Sequence, residues 1–258
     1  MSARKTVLTH FYNEEYLLPF WIDHHKRIFD RGILVNHRSK DRSVEIAQKM
    51  APDWLVIDSK TVDFDAPSCD TEMYDLEGLL PKGEWRITLN TTEFLFGDVD
   101  VLQDFNHEVQ YLIASHCMVD MDTEKEPTND ELLVKQKAFG IPPEKTHNSM
   151  HPAHHLAFRR FRSIHNHQVP YGVGRHFGHG TPDINLWTLW YNNCPWNDPM
   201  KARKLQIQSQ IPEHNKQRGW GFQHLFPIDR MEEDYQAMKE HADDLSPLFE
   251  KYMHHLTK

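Results

Sequence analysis

Three short polar clusters follow apolar runs in the N-terminal part of the chain. They read "HFYNEE" at 10–15, "NHRSKD" at 36–41 and "NTTEF" at 90–94. Asparagine offers hydrogen-bond donors and acceptors, serine and threonine offer hydroxyls, and carboxylates accept hydrogen bonds or bind cations. Such a set can bind a polar ligand. The side chains that we select for this role are Asn13, Glu14, Asn36, Arg38, Ser39, Asp41, Asn90, Thr92 and Glu93.

Basic side chains collect in the second half of the chain. The stretch "HLAFRRFRSIHNH" supplies Arg160 and Arg162, and "GRHFGHG" supplies Arg175, His176 and His179 beside glycines that let backbone approach a ligand. Arginine forms strong charge-assisted hydrogen bonds to phosphate, so this region is predicted to neutralise an anionic ligand. His176 and His179 have a spacing that suits a metal, but the sequence supplies no third ligand beside them.

Two aspartates are candidates for a general base that would take a proton from a hydroxyl group. Asp183 in "GTPDIN" is the first choice, because it follows the glycine- and histidine-rich stretch. Asp120, at the end of "YLIASHCMVD", is the second.

Composition narrows the class of protein. The 258 residues include 29 Lys and Arg against 38 Asp and Glu, and the resulting net charge of −9 argues against a nucleic-acid-binding protein. Three cysteines without CxxC spacing indicate neither a disulfide framework nor a thiolate zinc site. No apolar run approaches a membrane span and no signal-peptide core is visible, so we expect a cytoplasmic protein.

Hydrophobic spacing predicts the elements that position these residues. Strand, helix, strand, helix and strand are expected over "KTVLTHF", "NEEYLLPFWIDHHKRIF", "GILVN", "RSVEIAQKM" and "DWLVID". This order predicts an α/β fold with a doubly wound, mostly parallel sheet, whose ligands lie beyond the carboxyl ends of the strands. The three polar clusters should therefore share one crevice. A second interpretation of Asn13 and Glu14 is a helix N-cap and a first-turn acid.

The residues 5 to about 100 resemble the family 2-like glycosyltransferases. "VLTHFYNEEYLLPFWIDHHKRIFDRGILVNHRSKDRSVEIAQK" is similar to that family's opening pattern, and "WRITLNTTEFLF" is similar to its strand ending in D-x-D-E-F. The resemblance implies a GT-A fold in one domain, 1–258, with a nucleotide-binding half at 1–115 and an acceptor-binding half with C-terminal helices at 116–258. It also implies transfer of a sugar from a nucleotide-sugar donor to a hydroxyl of a glycan or another acceptor.

The sequence departs from the family pattern where the chemistry should lie. Asn36 stands where the family has an aspartate, and Asn90 and Thr92 are neutral where the family has metal-binding carboxylates. The usual ligands for Mn²⁺ or Mg²⁺ are thus absent, and only Glu93 could anchor a metal. Trp190 stands where many relatives have a histidine; it is either a platform for the sugar or acceptor or a core residue.

Two interpretations follow from these departures. The first is a metal-independent transferase in which Arg and His side chains neutralise the leaving diphosphate. The second is a catalytically inactive nucleotide- or carbohydrate-binding protein on the same fold. A third alternative is a small-molecule phosphotransferase-like α/β enzyme, and the absence of a GxxxxGK[ST] loop argues against it.

Overall fold

The computed structural model describes residues 3–146, 161–170, 172–175, 181–221 and 224–257, with the backbone alone at 181–184. Its strands are β1 Lys5–Phe11, β2 Arg31–Asn36, β3 Leu55–Asp58, β4 Trp85–Thr88, β5 Glu93–Gly97, β6 Gln110–Val119, β7 Phe139–Ile141, β8 Phe161–His165, β9 Thr181–Asn193 and β10 Asp243–Asp244. Its helices are α1 Leu18–His25, α2 Ser43–Met50, α3 Ala66–Gly78, α4 Leu133–Gln136, α5 Asp198–Gln206, α6 Glu213–Gln217, α7 Ile228–Lys239 and α8 Ser246–Tyr252. The predicted α/β class, with helices flanking a central sheet, is confirmed.

The N-terminal half of the sheet is parallel. Strands β3, β2, β1 and β4 lie side by side in that order and all run in one direction. After β1 the chain adds β2 and β3 along one edge of β1. It later returns to pair with the other edge of β1 as β4. Such a reversal of strand order opens a crevice at the carboxyl ends of the two strands. The predicted order of strands and helices in this half is confirmed.

The remaining strands extend the same sheet with mixed directions. Strand β8 is antiparallel to β4 and to β6, whereas β9 runs parallel to β6 and antiparallel to β5. Strands from both predicted halves of the chain therefore share one sheet. The predicted pair of C-terminal helices is present as α7 and α8.

Helix α1 is attached to β5 by two buried histidines. The ring Nε2–H of His24 donates to the Leu95 carbonyl (2.7 Å), and the Leu95 N–H donates to Nε2 of His25 (3.1 Å). Both side chains are almost fully buried, and burial lowers the pKa of His24 to about 4 and that of His25 well below its usual range. The two rings are therefore neutral at pH 7 and act as hydrogen-bonding core residues.

Helix α1 begins later than the sequence pattern predicts. Its first residue is Leu18, with Leu17 at the N-cap position, so Asn13 does not cap it. Asn13 instead has a left-handed backbone (φ 48°), which asparagine tolerates better than most residues. The N-cap interpretation of Asn13 is wrong, and the segment before α1 is a loop.

None of the described helices is long and apolar enough to cross a membrane.

His116 on β6 is another buried histidine, with a different environment. Its ring lies edge-on to Trp187 at 5.7 Å between centroids, and neither ring nitrogen has a hydrogen-bond partner in the described part of the chain. An unsatisfied buried polar group costs about 1–3 kcal/mol, so His116→Leu is expected to raise the free energy of unfolding by about 1 kcal/mol or more.

The matched control is His24→Leu, which removes a hydrogen bond that His24 does make. We expect this variant to lower the stability in chemical denaturation at pH 7.5. Equal destabilisation by both substitutions would contradict the assignment of His116 as unsatisfied.

Candidate active site at the carboxyl ends of the parallel strands

The loops that follow β1 and β2 are joined by direct hydrogen bonds. The backbone N–H of Asn13 donates to Oγ of Ser39 (2.9 Å), and Oδ1 of Asn13 accepts from the backbone of Lys40 (2.7 Å). These contacts follow from the parallel register, which places Phe11 beside Asn36. Two of the three predicted polar clusters thus meet at one edge of the sheet.

Several selected side chains in these loops serve the loop itself. Asn36 donates through Nδ2 to Asp58 (2.8 Å) and accepts at Oδ1 from the Ser39 backbone (2.9 Å). Asp41 accepts from the backbone N–H and the hydroxyl of Ser43, at the start of α2. Arg38 is exposed and has a left-handed backbone (φ 59°). A role for these side chains in donor binding stays a prediction.

The third cluster follows β4 and contains a buried ion pair. Glu93 and Arg162 are both almost fully buried, and the Arg162 guanidinium donates to both carboxylate oxygens at 2.8 and 2.7 Å. The Asn90 N–H also donates to Glu93 (2.8 Å). Because both oxygens of Glu93 are occupied, this carboxylate is not a free metal ligand. The metal role considered for Glu93 has no support in this arrangement.

Arg175 lies next to the same loop. Its guanidinium donates to the Asp70 carboxylate (2.9 Å) and to Oδ1 of Asn90 (2.8 Å), while its Nε is buried without a partner in the described residues. The backbone is left-handed (φ 56°), which is unfavourable for a residue with a Cβ atom. The carbonyls of Gly174 and Arg175 accept from Arg162, so the two arginines are held together.

A third arginine reaches the crevice from helix α5. Arg203 makes two hydrogen bonds to the Glu14 carboxylate, at 2.5 and 2.6 Å, and a longer one to Oγ1 of Thr91 (3.3 Å). Next to it, Gln206 donates to the Asn13 carbonyl (2.7 Å). Helix α5 thereby closes over the loops after β1 and β4. Thr92, in the same loop, is buried.

Arg203 and Asp70 were not among the residues selected from the sequence. The run "KARK" that contains Arg203 is typical of a solvated helix face, and Asp70 lies on a helix without any motif. Only the return of α5 and α3 to the carboxyl edge of the sheet gives these residues a place in the site. The sequence "KARKLQ" at 201–206 does not indicate that α5 returns to this edge of the sheet.

Asp120 does not lie free in the crevice. Its side chain is buried, and its carboxylate accepts from Nζ of Lys137 (2.6 Å) and from the Trp196 backbone (2.9 Å). The buried ammonium group of Lys137 compensates the negative charge of this carboxylate. Asp120 is therefore part of a buried ion pair, and its role as a general base stays a prediction.

Trp190 belongs to a buried apolar cluster. It packs with residues of β6, β7 and α7, among them Val119, Ile141 and Met238, and only 6% of its surface is exposed. This arrangement agrees with the core interpretation, and a role for Trp190 as a contact for the diphosphate or acceptor stays a prediction.

The other selected residues cannot be placed as side chains. Arg160, His176 and His179 lie outside the described residues, and Asp183 is described only as backbone within β9. Their roles stay predictions.

The chain was compared with known proteins. No protein-family model and no curated protein matches it. Among solved structures, glucosyl-3-phosphoglycerate synthase from Mycobacterium tuberculosis in complex with phosphoglyceric acid is similar over 82% of this chain and 81% of its own, with 12% identity and a TM-score of 0.41. S. aureus TarS 1–349 in complex with UDP is similar over 48% of this chain, with 16% identity and a TM-score of 0.32. This chain spans only 38% of that TarS chain.

A 4-diphosphocytidyl-2C-methyl-D-erythritol synthase is similar over 51% of this chain and 71% of its own, with 11% identity and a TM-score of 0.32. Likenesses at this level assign no activity to the chain.

Proposed function

We propose that this protein is a glycosyltransferase that binds a nucleotide-sugar donor at the carboxyl ends of β1, β2 and β4 and transfers the sugar to a hydroxyl of a glycan or another acceptor. The observation that carries this proposal is the convergence of Arg162, Arg175 and Arg203 around the loop 90–93, where strand order reverses. That position is where nucleotides bind in open α/β sheets.

The donor diphosphate is proposed to be neutralised by arginine side chains in place of a carboxylate-bound metal. The loop after β4 presents neutral side chains at Asn90, Thr91 and Thr92, and the Glu93 carboxylate is already paired. Arg175 and Arg203 have mostly buried side chains, so their hydrogen bonds to an anion would be stronger than in bulk water. Preorganised positive groups of this kind stabilise a leaving diphosphate.

In the absence of donor, Asp70 and Glu14 hold these two guanidinium groups in place. Donor binding then requires the phosphate oxygens to replace a carboxylate as the partner of at least one arginine. The acceptor is proposed to bind on the side of the second half of the chain, with Asp183 as the general base.

The second candidate is a binding protein that retains the crevice without catalysis. The observation that favours it is that Glu14, Asp70, Glu93 and Asp120 are each ion-paired. Binding of a nucleotide sugar without hydrolysis or transfer would distinguish this candidate from the transferase.

The proposal is tested by thermal-shift measurements with UDP-, GDP-, CMP- and dTDP-linked sugars, each with Mn²⁺ added or omitted and without a chelator. A ligand that binds only the folded state raises the melting temperature by mass action. We expect one nucleotide class to raise it equally with and without Mn²⁺. A shift that needs Mn²⁺ would overturn metal independence, and no shift with any nucleotide would overturn donor binding.

The role of Arg203 in binding the diphosphate can be tested by a double substitution. Glu14→Gln combined with Arg203→Gln removes the cation without leaving a buried carboxylate unpaired. Fitting the thermal shift against donor concentration gives the donor affinity. We expect this affinity to fall to less than a tenth of the wild-type value, because one charge-assisted contact is worth about 1.5–3 kcal/mol.

The matched control is Arg230→Gln on α7, where the arginine pairs at the surface with Asp234. This variant should bind donor as the wild type does. Unchanged donor affinity in the Glu14→Gln/Arg203→Gln protein would remove Arg203 from the proposed site.

A further inference from the structure

Two histidines and a cysteine from three different elements meet beside the candidate active site. His10 is the penultimate residue of β1, His37 directly follows β2, and Cys69 lies in the first turn of α3. One ligand atom from each of the three side chains lies within 4.8 Å of the others. All three residues are buried, with exposed fractions of 8%, 2% and 5%. The proposed donor chemistry uses none of them.

Polar groups surround the three side chains and hold them in place. Oγ1 of Thr61 lies 3.4 Å from Nδ1 of His37 and 3.8 Å from Sγ of Cys69. Oγ of Ser59 lies 3.3 Å from Nε2 of His10.

The carboxylate of Glu72 lies next to the ring of His10. Oε2 of Glu72 lies 3.7 Å from Nε2 of His10 and accepts from the Ser59 hydroxyl (2.6 Å), while Oε1 accepts from the Lys60 backbone (2.7 Å). The Ser59 hydroxyl thus links this carboxylate to His10. A polar partner on the second ring nitrogen of a metal-binding histidine fixes the orientation of its ring.

The chemistry of the three groups suits a metal. A neutral imidazole offers the lone pair of one ring nitrogen to a metal ion. A cysteine binds zinc as the thiolate, so an incoming ion must displace the thiol proton of Cys69.

We propose that His10, His37 and Cys69 bind one Zn²⁺ ion, with Glu72 as the carboxylate that positions His10. One thiolate and two imidazoles are a ligand set that zinc prefers over Mg²⁺ and Mn²⁺, which favour oxygen. Tetrahedral zinc with bonds of about 2.0–2.3 Å places its ligand atoms about 3.4–3.8 Å apart, so the side chains need to close by only about 1 Å. Three protein ligands leave the fourth position for water.

This zinc site lies at the carboxyl ends of β1 and β2, where the donor is also proposed to bind, but it uses none of the side chains assigned to the donor. The zinc site and the proposed diphosphate site are neighbours, because Cys69 is followed by Asp70, whose carboxylate binds Arg175. A zinc ion would therefore fix the first turn of α3 to the ends of β1 and β2 and so hold the Asp70 side chain against Arg175. The expected role of the metal is structural support of the crevice.

The test is metal analysis of the full-length protein, produced without a histidine tag and purified without chelator. We expect about one zinc per chain by inductively coupled plasma mass spectrometry, and loss of at least nine-tenths of it in Cys69→Ser and in His37→Ala. The matched controls are Cys117→Ser, a buried cysteine elsewhere, and His107→Ala, an exposed histidine, and both should retain the metal.

Cobalt substitution provides a readout that does not depend on activity or on the zinc content after purification. Apoprotein titrated with Co²⁺ should develop the visible bands of tetrahedral cobalt and a thiolate-to-cobalt charge-transfer band, and the latter should be absent in Cys69→Ser. A wild-type protein that binds neither Zn²⁺ nor Co²⁺ would overturn the proposal. Equal metal binding by Cys69→Ser and the wild type would overturn it as well.

Donor binding and zinc binding can fail separately. A protein that contains zinc but shows no thermal shift with any nucleotide sugar would retain the zinc site and lose the proposed function. A protein that binds donor but no metal at Cys69 would retain the proposed function and overturn the zinc site.

Discussion

Glu93→Gln is expected to lower the free energy of unfolding by about 3–5 kcal/mol, because it leaves the buried guanidinium of Arg162 without its counter-charge. Neither side chain has more than 1% of its surface exposed, so water cannot replace the lost carboxylate. Among the described residues, the remaining partners of Arg162 are the backbone carbonyls of Gly174 and Arg175. Urea denaturation at pH 7.5 measures this change.

The control for Glu93→Gln is Asp243→Asn, which breaks the surface pair with Lys145. Both members of that pair are about half exposed, so the expected change is below about 1 kcal/mol. The double variant Glu93→Gln/Arg162→Met removes both charges and should recover part of the lost stability. If Glu93→Gln costs no more than Asp243→Asn, the buried pair is not formed in solution, and Glu93 becomes available again as a metal ligand.

A loss of several kcal/mol of stability is expected as the pH falls from 6.5 to 4.5. Burial lowers the pKa of His24 and of His116 from 6.5 to about 4, and it lowers that of His25 further. Below pH 6.5 the unfolded chain binds protons at these positions while the folded chain does not. The stability that these neutral rings contribute is therefore fully present above pH 6.5. It falls on acidification, by up to about 3 kcal/mol each for His24 and His116 near pH 4.

The pH range distinguishes the loss of stability caused by the buried histidines from the loss caused by carboxylates. Hydrogen bonds from Ser59 and the Lys60 backbone, together with the nearby His10 ring, outweigh desolvation and lower the pKa of Glu72 to about 2. Its contribution to stability is therefore lost only below about pH 4.5. Denaturation in urea at several pH values between 7.5 and 4.5 measures the slope.

A single substitution tests the assignment to buried histidines. In His116→Leu the loss of stability between pH 7.5 and 4.5 should be smaller than in the wild type by about 2 kcal/mol, because one titrating group is removed. The exposed His254→Gln should keep the wild-type slope. Identical slopes in all three proteins would mean that His116 is protonated as easily in the folded state as in the unfolded state.

The sequence alone determined the parallel half of the sheet and the edge at which the polar loops meet. Alternating strands and amphipathic helices are local patterns, and the direction of parallel strands then places "HFYNEE", "NHRSKD" and "NTTEF" at their carboxyl ends. The pattern also placed helix α1 in the right part of the chain, although not its first residue, since the cap depends on the conformation of the loop before it.

Only the tertiary structure decided which charges face one another. Glu93 pairs with Arg162 across 69 residues, Arg175 with Asp70 across 105, and Arg203 with Glu14 across 189. The same holds for His10, His37 and Cys69, which no spacing rule brings together. Hydrophobic periodicity reports which face of an element is buried, but these partners depend on how α3, α5 and β8 return to the edge of the sheet, and no local pattern of residues encodes that return.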